Sequence, residues 1–237
     1  MKTYAFIFAR GGSKGVPDKN IKEMCGKPLI AHSVEIAQNI DAIEKVFVST
    51  EDEKISTIAK TYGADIISRP EDLAQDDSPE WLAWQHAINW LEKRDDNFDV
   101  FISLPATSPL RNNNDISKCL ASLDKKTDIV VGITESNRSP YFNMVKKNDN
   151  GFIEIIINNN KFYTRRQETP LIFDMTTVAY VCRPEFIQNS KGIFNGKVKG
   201  IDIPIERALD IDTKLDFEIA EFLMKKNILK TRENNAK

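Results

Sequence analysis

The chain opens on a continuous apolar run at residues 3–9, the pattern of a strand buried on both faces. Residues 28–40 then place Leu29, Ser33, Ile36, Ala37 and Ile40 on one side and predict a helix with Pro28 in its first turn. Further strands are predicted at 45–49, 64–68, 100–104 and 129–133, and helices at 52–62, 79–93 and 114–123. Within 79–93, Trp81, Trp84, Ile88 and Leu91 recur at helical spacing, which marks a core face. Strands that alternate with helices pair in parallel, because a parallel pair needs a crossover. The expected architecture is therefore three-layer α/β, a mostly parallel sheet with helices on both faces.

The rhythm changes after residue 133. Residues 134–170 are polar and Asn-rich around one apolar run at 152–157. Strands follow at 178–182 and 198–203, then a helix at 213–229 with Leu215, Ile219, Phe222 and Leu223 expected to face inward. The polar tail 231–237 is expected to fray. The chain thus reads as one domain over 1–237, with 134–170 an appendage too small to hold its own core.

Composition narrows the function classes. The formal net charge is −2, which argues against nucleic acid or a membrane surface as partner. Cys25, Cys119 and Cys182 form no C-x-x-C pair, and only His32 and His86 could join them, so neither a zinc site nor a disulfide framework is expected. No apolar run approaches the ~20 residues of a membrane span. The expected setting is reducing and cytoplasmic.

Two segments carry candidate chemistry. Arg10-Gly11-Gly12-Ser13-Lys14-Gly15 follows the first strand directly, where open parallel sheets bind ligands. Its glycines allow several N–H groups to point into one concavity. Residues 1–27 hold six Lys or Arg against two Asp or Glu, a local +4 that includes Lys19 and suits a polyphosphate. The loop matches neither G-x-x-x-x-G-K-[ST] nor G-x-G-x-x-G. Near the other end, Asp210 and Asp212 flank Ile211; in extended chain they share a face and could hold a hard cation, Mg²⁺ or Mn²⁺. Helix capping by Thr213 and Asp216 accounts for the neighbouring residues but does not require both aspartates. His32, His86, Cys25 and Lys225, Lys226 and Lys230 read as bystanders.

In combination these segments resemble the acylneuraminate cytidylyltransferase (CMP-sialic acid synthetase) family. The resemblance is carried by Ala9-Arg10-Gly11-Gly12-Ser13-Lys14-Gly15-Val16-Pro17-Asp18-Lys19-Asn20, by Val48-Ser49-Thr50-Glu51-Asp52, and by Arg69-Pro70-Glu71-Asp72-Leu73-Ala74. Pro105-Ala106-Thr107-Ser108-Pro109-Leu110-Arg111, Arg165-Arg166-Gln167-Glu168-Thr169-Pro170 and Leu209-Asp210-Ile211-Asp212-Thr213 complete it, in order and over nearly the whole chain.

The resemblance implies a nucleotide-diphospho-sugar transferase-like fold and transfer of a cytidylyl group from CTP to a small acidic sugar, a 3-deoxy-2-ulosonic acid. It implies that Arg10, Lys14 and Lys19 hold the triphosphate, Arg10 and Lys14 with a catalytic role. Asn20 and Arg69 would lie near the nucleoside, and Arg166 and Gln167 near the sugar acid or triphosphate. Gly11, Gly12, Ser13, Thr107, Ser108, Thr176 and Thr177 join the expected substrate-binding set. Asp210 and Asp212 would carry Mg²⁺. The family is dimeric, so 134–170 is expected to reach a partner. The chain departs from sialate-specific members at Pro105, where Gln is common, and at Thr176-Thr177, where Asn-Gly is common. An ulosonic acid other than N-acetylneuraminic acid is therefore expected. A sugar 1-phosphate or Kdo transferase of the same fold and a non-catalytic nucleotide sensor remain as alternatives.

Overall fold

The computed structural model describes residues 1–235. In chain order it begins with β1 (Thr3–Phe8), β2 (Glu23–Met24), β3 (Lys27–Pro28), α1 (Leu29–Gln38), β4 (Ile43–Thr50), α2 (Glu53–Thr61) and β5 (Asp65–Ser68). It continues with α3 (Glu80–Glu92), β6 (Val100–Ser103), α4 (Asn113–Ala121), β7 (Ile129–Glu135), β8 (Val145–Lys147) and β9 (Ile153–Ile155). β10 (Phe173–Cys182), α5 (Pro184–Asn189), β11 (Val198–Asp202) and α6 (Lys214–Asn235) complete it.

Seven strands form the central sheet in the order β11-β7-β10-β6-β1-β4-β5. β1 pairs in parallel with β4 and β6, β4 with β5, and β7 with β11, whereas β10 runs antiparallel to β6 and β7. The mostly parallel sheet with helices on both faces is thus the observed architecture. Alternation along β1 builds both faces. Ala5 and Ile7 pack in one core with α1, α2 and α4, while Tyr4 and Phe6 pack in a second with α3 and α5. Strand order reverses at β1, where the chain goes first to β4 on one side and later to β6 on the other. Such a switch point opens a crevice beyond the carboxyl ends of the strands.

A third core cluster is smaller and matters more for function. It joins Val16, Met24, Leu29, Leu110, Ile211, Phe217 and Ala220. It corrects the expected orientation of the last helix: Leu215, Ile219 and Phe222 are exposed, and Phe217 and Ala220 are buried, with Leu223 and Met224 packed beside them. α6 carries two apolar stripes, and entry through buried Ile211 turns the second one inward. The helix also continues to Asn235 rather than fraying from 231; Ala236 and Lys237 lie outside the described residues.

Between β7 and β10 the chain leaves the sheet and forms the β8–β9 hairpin. Phe152, Ile153, Ile156 and Phe162 stay exposed there, Phe162 at 92%. Aromatic and aliphatic residues of this segment, among them Tyr141, Phe142, Ile155 and Tyr163, line a groove of ≈ 900 Å³. The β2–β3 hairpin has strands too short to show a period, and β10 starts five residues before the apolar run that marked it. Among the described residues no helix is long and apolar enough to cross a membrane.

α4 is tied to the segment that follows β11. Asn112 and Asp115 form a capping box at its start, and Arg207 donates from Nε at 2.8 Å and Nη2 at 3.0 Å to buried Asp115. Asp115→Ala removes the reciprocal half of the capping box, the bond from Asn112 N–H, and both Arg207 bonds, although Arg207 can turn towards solvent. Urea unfolding should show a loss of about 2–4 kcal/mol, and a loss below about 0.5 kcal/mol would contradict a structural tie.

Candidate active site

Because β1, β4, β5 and β6 run in parallel, the loops after them emerge at one edge of the sheet, and antiparallel β10 brings Thr176 and Thr177 there from its other end. The loop after β1 turns on Gly12, whose φ of 66° lies in the left-handed region. Gly11 N–H donates to Glu51 Oε1 at 2.6 Å, which anchors the loop to the residue after β4. Asn20 Nδ2 donates to the Arg10 carbonyl at 2.9 Å. These bonds leave Arg10 and Lys14 facing outward, and both pair with Asp76: Arg10 Nη1 lies 2.6 Å from Asp76 Oδ1, and Lys14 Nζ contacts Oδ2. The two cations, Lys14 first, hold the Asp76 carboxyl below the usual carboxylate range.

Lys19 reaches across the loop. Its Nζ donates to the Ile211 carbonyl at 2.6 Å and lies 3.7 Å from Asp212 Oδ1. Gly15 closes the same contact from the backbone. A Cβ there would fall 2.1 Å from the Asp212 carbonyl oxygen, so only glycine allows the approach. The cationic loop and Asp210-Ile211-Asp212 are therefore in direct contact. Ile211 is fully buried as expected, Asp212 is exposed, and Asp210 Oδ1 is buried without a hydrogen-bond partner. Thr213 and Asp216 do cap α6: Asp216 Oδ2 accepts from Thr213 N–H at 2.7 Å and from Asp212 N–H at 3.2 Å. The capping leaves Asp210 and the Asp212 side chain for another role.

Arg69 is buried beneath the edge. It donates from Nη2 to the Ser49 carbonyl at 2.7 Å and sits 5.7 Å from the centre of the Phe8 ring. Burial lowers its pKa, against the pull of Glu51 and Glu80. With Phe8, Arg10, Asp76, Ser78 and Glu80 it lines a cavity of ≈ 230 Å³ beside the cationic loop.

Thr107 and Ser108 brace the acidic segment. The Thr107 carbonyl accepts from Ile211 N–H at 3.0 Å, and Ser108 Oγ lies 2.6 Å from Thr177 Oγ1 and 3.4 Å from the Leu209 carbonyl. Thr176 is buried against Gly132, where any Cβ would meet its hydroxyl at 2.6 Å. Arg166 and Gln167 stand apart, in a cavity of ≈ 200 Å³ at the base of the appendage. There Arg166 Nη1 donates to the Ser136 carbonyl at 2.6 Å.

The site also depends on residues that carried no role in the sequence reading. Arg111 is buried and donates to the Pro105 carbonyl and, at 3.2 Å, to Ser33 Oγ. Burial pulls its pKa down to about 9, while Asp210 and Asp115 oppose the fall. An arginine closing an apolar, Pro-rich loop was the available signal. Asp76 has only the acidic run 71–77 to mark it.

A family model described as "Cytidylyltransferase" matches residues 4–234. The chain belongs to the cytidylyltransferase family. It is 32% identical to the post-translational flagellin modification protein B of Campylobacter coli over 96% of this chain and 97% of that protein. It is also 32% identical to the CMP-N,N'-diacetyllegionaminic acid synthase of Campylobacter jejuni, over 92% and 93% respectively. Among solved structures, a CMP:2-keto-3-deoxy-manno-octonic acid synthetase complexed with CTP aligns with a TM-score of 0.70 at 18% identity, covering 96% of this chain and 100% of that one, a likeness of fold.

In this cytidylyltransferase the Gly15–Asp212 contact sets the spacing of cations and carboxylates. Gly15→Ala, which forces the Gly15 and Asp212 backbones apart, should lower kcat/KM by about 10²-fold, the scale of a ~1 Å misplacement. Wild-type turnover in that variant would show that the contact does not position the site.

Proposed function

We propose that this chain joins CTP to a 3-deoxy-2-ulosonic acid of the sialic acid type, giving a CMP-sugar and pyrophosphate. The observation that carries the proposal is the contact, at one sheet edge, between a cationic glycine loop and the Ile211-Asp212 end of the acidic segment. CTP brings about four negative charges and the sugar acid one more, so neutralisation is the main requirement of the reaction. Arg10, Lys14 and Lys19 bind the triphosphate, and Arg10 and Lys14 take up the charge that develops on departing pyrophosphate. The N–H groups of Gly12 and Ser13 add donors to the same concavity. Arg69 and Asn20 flank the nucleoside, with the ≈ 230 Å³ cavity beside Arg69 to receive it. The anomeric C2 hydroxyl of the sugar attacks the α-phosphorus in line, and Thr107, Ser108, Thr176 and Thr177 shape the acceptor side.

The donor set suits a hard cation. Asp210 Oδ1 is a buried oxygen without a partner, and Asp212 is exposed with Oδ1 3.7 Å from Lys19 Nζ. Among the described residues no group of three or more His, Cys, Asp or Glu side chains comes together, so other ligands would be substrate oxygens or water. Asp210 and Asp212 would hold Mg²⁺ or Mn²⁺, which polarises phosphoryl oxygens when bound.

We assign a homodimer through the segment between β7 and β10, whose exposed Phe152, Ile153 and Phe162 find too few partners within the chain. Arg166 and Gln167 on that segment are assigned to the acidic substrates. Three free thiols and a nucleotide substrate fit a cytoplasmic setting. Pro105 and Thr176-Thr177 on the acceptor side favour an acid other than N-acetylneuraminic acid. The legionaminic acid named for the Campylobacter jejuni relative supports that direction.

Pyrophosphate release, measured with each NTP against legionaminic, pseudaminic, N-acetylneuraminic and Kdo acids, tests this function. Turnover is expected with CTP, a divalent cation and a nonulosonic acid. N-acetylneuraminic acid preferred by about tenfold would reverse the acceptor assignment. Arg10→Ala and Lys14→Ala should each cost roughly 10- to 150-fold in kcat/KM, and Asp212→Asn about 10²-fold or more in kcat. Full activity of the Asp210→Asn, Asp212→Asn double variant with unchanged metal dependence would remove the metal assignment.

Light scattering at micromolar concentration should give the mass of a dimer. A monomer would contradict the role given to the appendage.

A further inference from the structure

The geometry points to Asp76 as an internal stand-in for the nucleotide's phosphates: its carboxylate bridges Arg10 and Lys14 in the free enzyme, and incoming polyphosphate displaces it. The inference rests on the assignment of Arg10 and Lys14 to the triphosphate.

Each oxygen of Asp76 serves one cation. Oδ1 lies 2.6 Å from Arg10 Nη1, and Oδ2 contacts Lys14 Nζ. One anion bridging a guanidinium and an ammonium through separate oxygens is the arrangement a phosphate adopts between the same groups. Without it two like charges would face each other across a glycine turn, so Asp76 neutralises the empty loop.

The segment that carries Asp76 is suited to let go. It contains Glu71, Asp72, Asp76 and Asp77 and no Lys or Arg. Its hydrogen bonds from residue 70 to 78 are internal, Leu73 N–H to Pro70, Ser78 N–H to Gln75 and Gln75 Nε2 to Glu71, except where Arg10 Nη1 donates to the Ala74 carbonyl at 3.2 Å. Among the described residues, then, the polar ties from this segment to the loop run through Arg10 and Lys14. Arg69 at its start is buried and held to Ser49, and α3 at its end is packed by Trp84 and Ile88. The middle can swing between fixed ends.

The contact is solvent-exposed, with the Asp76 side chain 45% accessible and Lys14 79%. Exposed pairs are weak, and a polyphosphate carries several charges to one, so the exchange favours the ligand. The cost falls on every polyphosphate alike. Asp76 therefore weakens the hold on product pyrophosphate as well as on CTP, and helps the site to empty after each turnover.

Titration calorimetry with inorganic tripolyphosphate, at low ionic strength and without divalent cations, separates the possibilities. Asp76→Asn keeps the shape and removes the charge; it should bind tripolyphosphate about three- to tenfold more tightly than wild type. The difference should shrink at 0.5 M salt. Binding that is unchanged or weaker would overturn the proposal, since Asp76 would then be orienting the cations rather than competing for them. Arg10→Ala and Lys14→Ala are run alongside. If both weaken binding while Asp76→Asn does not strengthen it, only the stand-in role fails. If neither weakens it, the phosphate site itself is misplaced. Equal thermal midpoints for wild type and Asp76→Asn establish that the fold is intact.

Discussion

The site depends on the burial of Ile211 between two aspartates. Its side chain is held by Val16 from the loop after β1, Leu110 from the loop after β6, and Phe217 from α6. Its N–H donates to the Thr107 carbonyl and its carbonyl accepts from Lys19. One residue thus ties three segments that are distant along the chain. Asp212 beside it stays at the surface, because a carboxylate costs far more to bury than an aliphatic side chain, while Asp210 keeps one oxygen, Oδ1, buried and unpaired. Asp212 then meets Lys19 of the cationic loop, Asp210 lies in the field of Arg111, and Gly15 lets the two backbones meet.

The electrostatics follow from that arrangement. Positive groups outnumber negative ones in the first 27 residues although the whole chain is slightly acidic. The excess is placed where parallel strands end and backbone N–H groups point outward. Charge is balanced locally in the free enzyme, Arg10 and Lys14 by Asp76, Lys19 by Asp212, and Arg111 by the field of Asp210 and Asp115. The buried oxygen of Asp210 is left without a partner. A site that exchanges internal ions for substrate ions keeps its cations paired at both stages of the cycle.

Much of this was legible from residue order, for physical reasons that also explain the rest. Strand and helix alternation up to residue 133 follows from strict periodicity, and the switch point at β1 places the Arg10 loop without any knowledge of contacts. Asp210-Ile211-Asp212 is readable because its spacing is local. The face of α6 was misread, since Leu215, Ile219 and Phe222 form as good a stripe as Phe217, Ala220 and Met224. Only the docking of Ile211 chooses between them. Asp76 acts through Arg10 and Lys14 and Arg111 through Ser33, partners 62 to 78 positions away in the chain, for which composition carries no signal. The burial of Thr176 against Gly132 on the next strand is likewise a contact that residue order does not show.

Cytidylyl transfer itself is most directly tested by following CTP, Mg²⁺, the wild-type protein and a nonulosonic acid by phosphorus NMR. A new phosphodiester resonance from the CMP-sugar should grow in step with pyrophosphate, one for one. Pyrophosphate appearing without that resonance, or neither species forming with any ulosonic acid, would contradict the assignment of this site to transfer onto a sugar acid.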